Sequence, residues 1–251
     1  GLIAEHRGNT AKAVEYFDKT LELQPDDAFA LYNRGRLFLN DEDYVLAQQY
    51  FEQVLAIDPS DADSHYCMGL VYEAQDNREE AVKSYQAAVA SDSSHKNAWL
   101  FLGKLYDHSQ NYDQAIEAFE HVLELDPNHL ESNYELSISL AKNGDWERTI
   151  EYCQKTIEID SHYAKAYNQL GLAYYCKSEP EQAIEQYRKA IELEPTYATA
   201  LNNLGYAYEK VENYAEAIAT FKAYIEQSTN EAEIQEIQQH VALLESKMLE
   251  N

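Results

Sequence analysis

The spacing between glycines limits this chain to one kind of architecture. Gly1, Gly35, Gly69, Gly103, Gly171 and Gly205 are separated by one constant interval or by twice that interval. The two others, Gly8 and Gly144, are separated by four times the same interval. Four of the five prolines keep the same count (Pro25, Pro59, Pro127, Pro195). So do an alanine column (Ala13, Ala47, Ala81, Ala115, Ala183, Ala217) and an aromatic column (Phe17, Phe51, Tyr85, Phe119, Tyr187, Phe221). A fixed period with no insertion means one supersecondary unit stacked in tandem. The register divides the chain into units 1–27 (lacking its first seven residues), 28–61, 62–95, 96–129, 130–163, 164–197 and 198–231.

Within each unit, apolar residues recur at helical spacing on two segments of about a dozen residues. In the unit at 96 these are Trp99, Leu102, Gly103 and Tyr106, then Ile116, Phe119, Val122 and Leu123. An Asn or Asp opens the second segment in six units (Asn9, Asp43, Asn77, Asn111, Asp145, Asn213), and Pro180 opens it in the remaining one. Such side chains cap a helix by accepting from an orphan amide, and proline is tolerated only in a first turn. The recurrent proline after the second segment ends it. With 8 glycines and 5 prolines in 251 residues, the chain has too little turn chemistry for a many-stranded sandwich or barrel. Each unit is therefore expected to be a helix pair, with glycine and alanine where two helices approach closely. No single pair covers its own apolar face, so stacking neighbours must do so.

Residues 96–129 state the unit most fully: Trp99-x-x-Leu102-Gly103-x-x-Tyr106, then Ala115-x-x-x-Phe119, then Pro127. This resembles the tetratricopeptide repeat at every signature position, and the unit length of about 34 residues is also that family's. The resemblance implies an all-α, right-handed superhelical solenoid whose concave face is lined by first helices. Residues 232–251 leave the register; Ile234, Ile237, Val241, Leu244 and Met248 make an apolar stripe on a polar helix. That segment is expected to cap the last pair, with a dimerising coiled-coil seam as the alternative. Unit 130–163 departs most from the pattern: Ser137, Thr149, Cys153 and Thr156 replace the usual residues, and Trp146, on the same helical face as Cys153, is expected to restore lost volume.

Composition narrows the partners. The net charge of −26, from 45 acidic and 19 basic side chains, opposes nucleic acid and anionic membrane surfaces, which attract lysine and arginine. No apolar run is long enough for membrane insertion. Three cysteines without a CxxC (Cys67, Cys153, Cys176) read as reduced thiols, which favours the cytoplasm. The chain begins at Gly1 without methionine, so the absence of a targeting signal carries no information. No phosphate-binding loop, zinc motif or nucleophile elbow occurs, and none of the eight histidines has zinc spacing. His95 and His129, one period apart in inter-repeat turns, read as structural, and the repeated Tyr72, Tyr106, Tyr174 and Tyr208 as core. The expectation is an all-α chain with no catalytic residues, cofactor or metal.

In arrays of the resembled family, positions 2, 5, 6, 9, 12 and 13 of each unit line the groove. Here those columns hold five bases and seven acids, so the excess negative charge belongs mainly to the outside. They also hold aromatic and amide side chains suited to gripping a peptide. The resulting candidate binding residues are Phe29, Tyr32, Asn33, Arg36, Tyr66, Phe101, Lys104, Tyr134, Lys165, Asn168, Asn202, Asn203 and Tyr206. Position 5 has no lysine, which removes the family's carboxylate clamp, and position 6 lacks a run of asparagines, which removes its asparagine ladder. The function expected is a protein-interaction scaffold holding a peptide or helical segment of a partner. The alternatives are a docking array of a larger enzyme, or a chain that assembles with copies of itself through its ends or C-terminal helix.

Overall fold

The computed structural model describes residues 10–250. Gly1, Gly8 and the expected cap Asn9 lie outside them. The described residues form fourteen helices and no strand. The chain divides into two compact parts, one ending at Leu125 and one beginning at Asp126. The N-terminal part holds α1 (Thr10–Leu23), α2 (Ala28–Asn40), α3 (Tyr44–Ile57), α4 (Ala62–Ala74), α5 (Arg78–Ser91), α6 (Lys96–His108) and α7 (Tyr112–Leu125). The C-terminal part holds α8 (Leu130–Lys142), α9 (Trp146–Ile159), α10 (Ala164–Cys176), α11 (Pro180–Leu193), α12 (Ala198–Lys210), α13 (Tyr214–Gln227) and α14 (Glu231–Glu250). This is an all-α helical-repeat fold: a 13-residue first helix and a 14-residue second helix recur in each full unit.

One turn builds every hairpin among the described residues. After α2, Glu42 N–H donates to Leu39 O and Asp43 N–H to Phe38 O, the paired bonds of a Schellman motif. The same two bonds recur at Asp76/Asn77, Gln110/Asn111, Gly144/Asp145, Ser178/Glu179 and Glu212/Asn213. The motif requires a left-handed residue, and Glu42, Asp76, Gln110, Ser178 and Glu212 all have φ between 55° and 63°. Among the described residues, only unit 130–163 meets that requirement with glycine, Gly144 at φ 82°. Asp43, Asn77, Asp145 and Asn213 then cap the second helix with their side chains, whereas Glu179, before Pro180, does not. Asp43 Oδ1 accepts from Leu46 N at 3.1 Å and Asp145 Oδ1 from Arg148 N at 3.2 Å. One three-residue link thus ends one helix and starts the next.

The glycine and aromatic columns are two halves of one contact. A Cβ placed on Gly35 would stand 2.8 Å from the Phe51 ring, and one on Gly103 or Gly171 would stand 2.7 Å from Phe119 or Tyr187. Only a bare backbone admits these rings, which are almost wholly buried. The alanine column (Ala47, Ala81, Ala115, Ala183, Ala217) has no exposed surface.

Unit 130–163 solves the same contact differently. Ser137 replaces the glycine and Cys153 the ring, both are fully buried, and the serine hydroxyl bonds the thiol. Trp146 is half-buried at the start of α9. The hydroxyls of this hairpin's core are bonded to its own backbone, whereas Asn133 Oδ1 is enclosed without a partner. Ser137 Oγ donates to Tyr134 O at 2.6 Å, Thr149 Oγ1 to Asp145 O at 2.7 Å and Thr156 Oγ1 to Tyr152 O at 2.8 Å.

Helix α14 lays Ile237, Val241 and Leu244 against Phe221 and Tyr224 of α13 and Leu201 of α12. Met248, at the end of the same stripe, is 45 % exposed.

Candidate functional site

Which residues can meet a partner follows from how each first helix is seated. The face that carries its glycine (Ser137 in α8) turns to the second helix, which leaves positions 2, 6 and 9 turned away from that contact and position 5 at its margin, where Tyr32 and Tyr66 also meet the rings of Phe51 and Tyr85.

In the N-terminal part these positions come from α2, α4 and α6, and they bring together residues a full unit apart. Tyr66 on α4 sits against Phe101 on α6 with ring centroids 5.8 Å apart, and Tyr85 of α5 lies 5.8 Å from both. The His95 ring closes the cluster at 4.9 Å from Tyr66, and Lys104 Nζ stands 5.3 Å over Phe101. Burial pushes the Tyr66 hydroxyl up to about 12. Tyr85 is fully buried and donates its hydroxyl to Glu73, which also holds that hydroxyl protonated. Nearer the start, Tyr32 is half-buried, with Arg36 5.8 Å over its ring and the Cys67 thiol donating to its hydroxyl at 3.8 Å. Desolvation raises Tyr32 further than Tyr66 and pushes the Cys67 thiol up to about 11. Phe29 is 56 % exposed and meets Phe17 edge-on at 6.3 Å. Asn33 serves the helix itself: it is buried, and its Nδ2 donates to Phe29 O at 2.7 Å.

In the C-terminal part the face comes from α8, α10 and α12. Asn203 Nδ2 donates to Asn168 Oδ1 at 3.0 Å, joining successive repeats. Asn202 is half-buried, and its Oδ1 is enclosed without a hydrogen-bond partner. Lys165 is exposed. Tyr206 packs 5.0 Å from Phe221 and 5.7 Å from His240 of α14. His240 Nε2 lies 2.7 Å from Glu209 Oε2, which ties α14 to α12. Tyr134 meets Tyr163 edge-on at 5.0 Å, and burial raises its hydroxyl.

The column before each first helix looks in sequence like a turn alone, yet it supplies rings to this face. Its residues are Asp27, Asp61, His95, His129, Tyr163 and Tyr197. Asp27 and Asp61 accept from Ala30 N and Ser64 N at 2.7 Å, and the imidazoles do the same through Nδ1, from Ala98 N at 3.1 Å and Ser132 N at 3.2 Å. His95 and His129 are thus N-caps, as their position in the turns implies. His95 is both a cap and a member of the aromatic cluster. His240 gives no sequence signal, since it lies outside the repeat register.

The other side of the C-terminal part carries an open cleft of about 1310 Å³ between α11 and α13, lined by Ile184, Ile191, Leu201, Tyr208 and Ala223 among others. Among the described residues no group of three His, Cys, Asp or Glu side chains is placed to hold a metal ion. No described helix is long and apolar enough to cross a membrane.

Comparison with known proteins agrees with this geometry. A tetratricopeptide repeat model matches residues 1–62, 66–128 and 104–164, a TPR repeat model matches 176–211, and a further tetratricopeptide repeat model matches 198–230. No curated protein matches the sequence. Among solved structures, the chain is similar to YrrB, described as a TPR protein with an unusual peptide-binding site. That likeness has 24% identity and a TM-score of 0.71, and covers 75% of this chain and 97% of YrrB. It is similar to MamA at 28% identity and TM-score 0.62, over 66% of this chain and 97% of MamA. It is also similar to the C-terminal part of a TPR repeat-containing protein from Cytophaga hutchinsonii, at 18% identity and TM-score 0.75, over 94% and 96% of the two chains.

Proposed function

Because the chain belongs to the tetratricopeptide repeat family, a family of protein-interaction scaffolds, we propose that it is a non-catalytic scaffold holding a segment of a partner protein on its first-helix face. The observation that carries this reading is convergence across units. Tyr66, Phe101 and Lys104 meet in one half-exposed cluster, although Tyr66 and Phe101 belong to successive units. Asn168 and Asn203 likewise meet from successive units. Rings of this kind supply contact area at small entropic cost, and paired amides offer donors and acceptors to an extended backbone. The second-helix surface has a different character: its exposed residues include Glu117, Gln154 and Glu181, which make a solvated polar face. YrrB, a neighbour in fold, carries a peptide-binding site by its description.

The test is site-specific photocrosslinking in a lysate. A benzophenone residue replaces Tyr66 or Tyr134 on the first helices, and Glu117 or Gln154 on the second helices as controls. A discrete adduct from the first-helix positions and none from the controls is expected. The adduct's segment, synthesised as a peptide, should then bind about tenfold more weakly to Tyr66→Ala or Lys165→Glu, with helicity unchanged. Adducts from the control positions alone, or undiminished binding by both variants, would refute the reading.

A further inference from the structure

The polar surface of the second helices is interrupted at one place, and a break in the repeat marks it. The position of Ala219 holds a long polar side chain in every earlier unit: Glu15, Gln49, Lys83, Glu117, Glu151 and Glu185. One turn further on, Ala223 stands where the three preceding units have His121, Lys155 and Lys189. Alanine occurs in that second column once more, at Ala87, but no other unit has it in both. With both side chains cut back to a methyl, α13 leaves open the cleft of about 1310 Å³ that separates it from α11.

The cleft has an apolar floor and charged walls. Leu201, Leu204 and Tyr208 of α12 lie along it, beside Ile184 and Ile191 of α11. The leucines are buried, whereas Ile184, Ile191 and Tyr208 are half-buried and present apolar surface to the opening. On the walls Glu181, Glu185, Glu192 and Glu216 outnumber Arg188 and Lys189, and Lys189 Nζ already holds Glu192 at 2.9 Å. The excess negative charge therefore collects at Glu181, Glu185 and Glu216, all exposed and within the first two turns of α11 and α13.

This combination selects a helix over an extended chain. The walls and floor are helices whose backbone groups are bonded along their own axes, so an extended segment would find little to bond, whereas a helix brings its bonds with it. Small residues at i and i+4, such as Ala219 and Ala223, leave a groove that admits a row of side chains from a second helix. Each wall has 14 residues, about 21 Å or four turns of helix. The chain covers α13 elsewhere in the same way, since α14 lays Ile237, Val241 and Leu244 against Phe221 and Tyr224.

We propose that the cleft between α11 and α13 is a second docking surface, which takes an amphipathic helix of a partner protein. Its aliphatic stripe covers Ile184, Ile191 and Tyr208, and its flanking lysines or arginines face Glu181, Glu185 and Glu216. The surface is separate from the first-helix face and goes beyond the reading given for it.

The probe is an amidated peptide of about four helical turns, built from leucine, alanine and lysine with its leucines on one face and a benzophenone residue among them. An isomer with dispersed leucines and a version with glutamate for lysine are the controls. Saturable binding of the probe to the full chain is expected by fluorescence anisotropy, weakening as salt is added, with photoadducts on α11 and α13. Ala219→Glu with Ala223→Lys copies the Glu185/Lys189 pair of α11, keeps the net charge and fills the cleft; it should weaken binding about fivefold or more with helicity unchanged. Glu181→Gln with Glu185→Gln should weaken it about threefold, and Glu117→Gln on α7 should leave it unchanged. Equal binding of the dispersed isomer, adducts spread over other acidic helices, absence of saturable binding, or undiminished binding by both double variants would overturn the proposal. Self-association that the Ala219/Ala223 double variant abolishes would give the cleft to a second copy of this chain and overturn it too. None of these results bears on crosslinks from positions 66 and 134, so the first-helix reading stands or falls separately.

Discussion

The pairing of Gly103 with Phe119 allows a quantitative test of how these hairpins hold together. A Cβ on Gly103 would lie 2.7–2.9 Å from three ring atoms of Phe119, whose side chain is fully buried. Carbon atoms settle at about 3.5–4.0 Å, so the ring would have to retreat by roughly 1 Å into a packed interior. Overpacking of this kind costs about 1–3 kcal/mol. Replacing glycine within a helix returns about 0.5 kcal/mol of propensity, and a serine hydroxyl there can bond its own helix, as Ser137 bonds Tyr134 O. Gly103→Ser should therefore cost about 1–2 kcal/mol. Phe119→Cys should cost about 3 kcal/mol through the cavity left behind. The double variant reproduces the Ser137/Cys153 pair of unit 130–163, and should recover about 1–2 kcal/mol of the summed loss because serine then occupies vacated space. Urea unfolding followed by circular dichroism gives the four midpoints. Amide exchange in α6 and α7 localises the effect, since repeat arrays depart from two-state behaviour. Additivity within about 0.3 kcal/mol, or a neutral Gly103→Ser, would refute the ring-over-backbone account.

Four further outcomes follow from the same geometry. Gly144→Ala should lower stability by about 1 kcal/mol, and Gln110→Gly should raise it by up to about 1 kcal/mol, because both positions are left-handed; thermal midpoints moving the other way would contradict this. Ellman's reagent should modify Cys176 alone in the native chain and all three thiols in denaturant, since Cys67 and Cys153 are buried with thiols pushed up to about 11 and 12. Those two thiols and Tyr66, at about 12, keep protons that the unfolded chain releases near pH 9–10. The stability they lend is complete below that range and is lost as pH rises through 11–12, so a urea midpoint that stays level between pH 8 and pH 11 would count against it. Leu244→Ala should cost about 2–5 kcal/mol by opening a cavity under α14, read as accelerated exchange in α13 and α14, whereas Leu243→Ala, 51 % exposed, should change little.

What the sequence made legible is whatever recurs under one local rule. The units, the cap residues Asp43 and Asp145, and the glycine and aromatic columns all follow from steric or hydrogen-bonding demands that return once in every unit. The left-handed column was hidden because the demand comes from the Schellman hydrogen bonds and not from the residue. Glu42, Asp76, Gln110, Ser178 and Glu212 share no chemistry, and among the described residues only Gly144 betrays the conformation. The Ser137–Cys153 exchange was hidden for a related reason. Each substitution taken alone looks like decay of the pattern, and the compensation exists only in the contact between two columns on opposite helices of the hairpin.

The first-helix face was legible in outline for the same periodic reason, and its detail was not. Asn33 and Asn168 both line this face, yet Asn33 is bonded to its own helix while Asn168 reaches across to the next repeat. The difference lies in the neighbour one unit on: Cys67 follows Asn33 in its register column, whereas Asn168 has Asn203 within reach. A column therefore identifies where a side chain stands, and the adjacent unit decides what it is free to do. Tyr163 and Tyr197 show this most clearly. As turn residues they are ordinary, and their departure becomes visible only once Asp27, Asp61, His95 and His129 are seen bonding the helices they precede. In an array that meets its structural needs by repetition, specificity has to be written in the positions that decline to repeat.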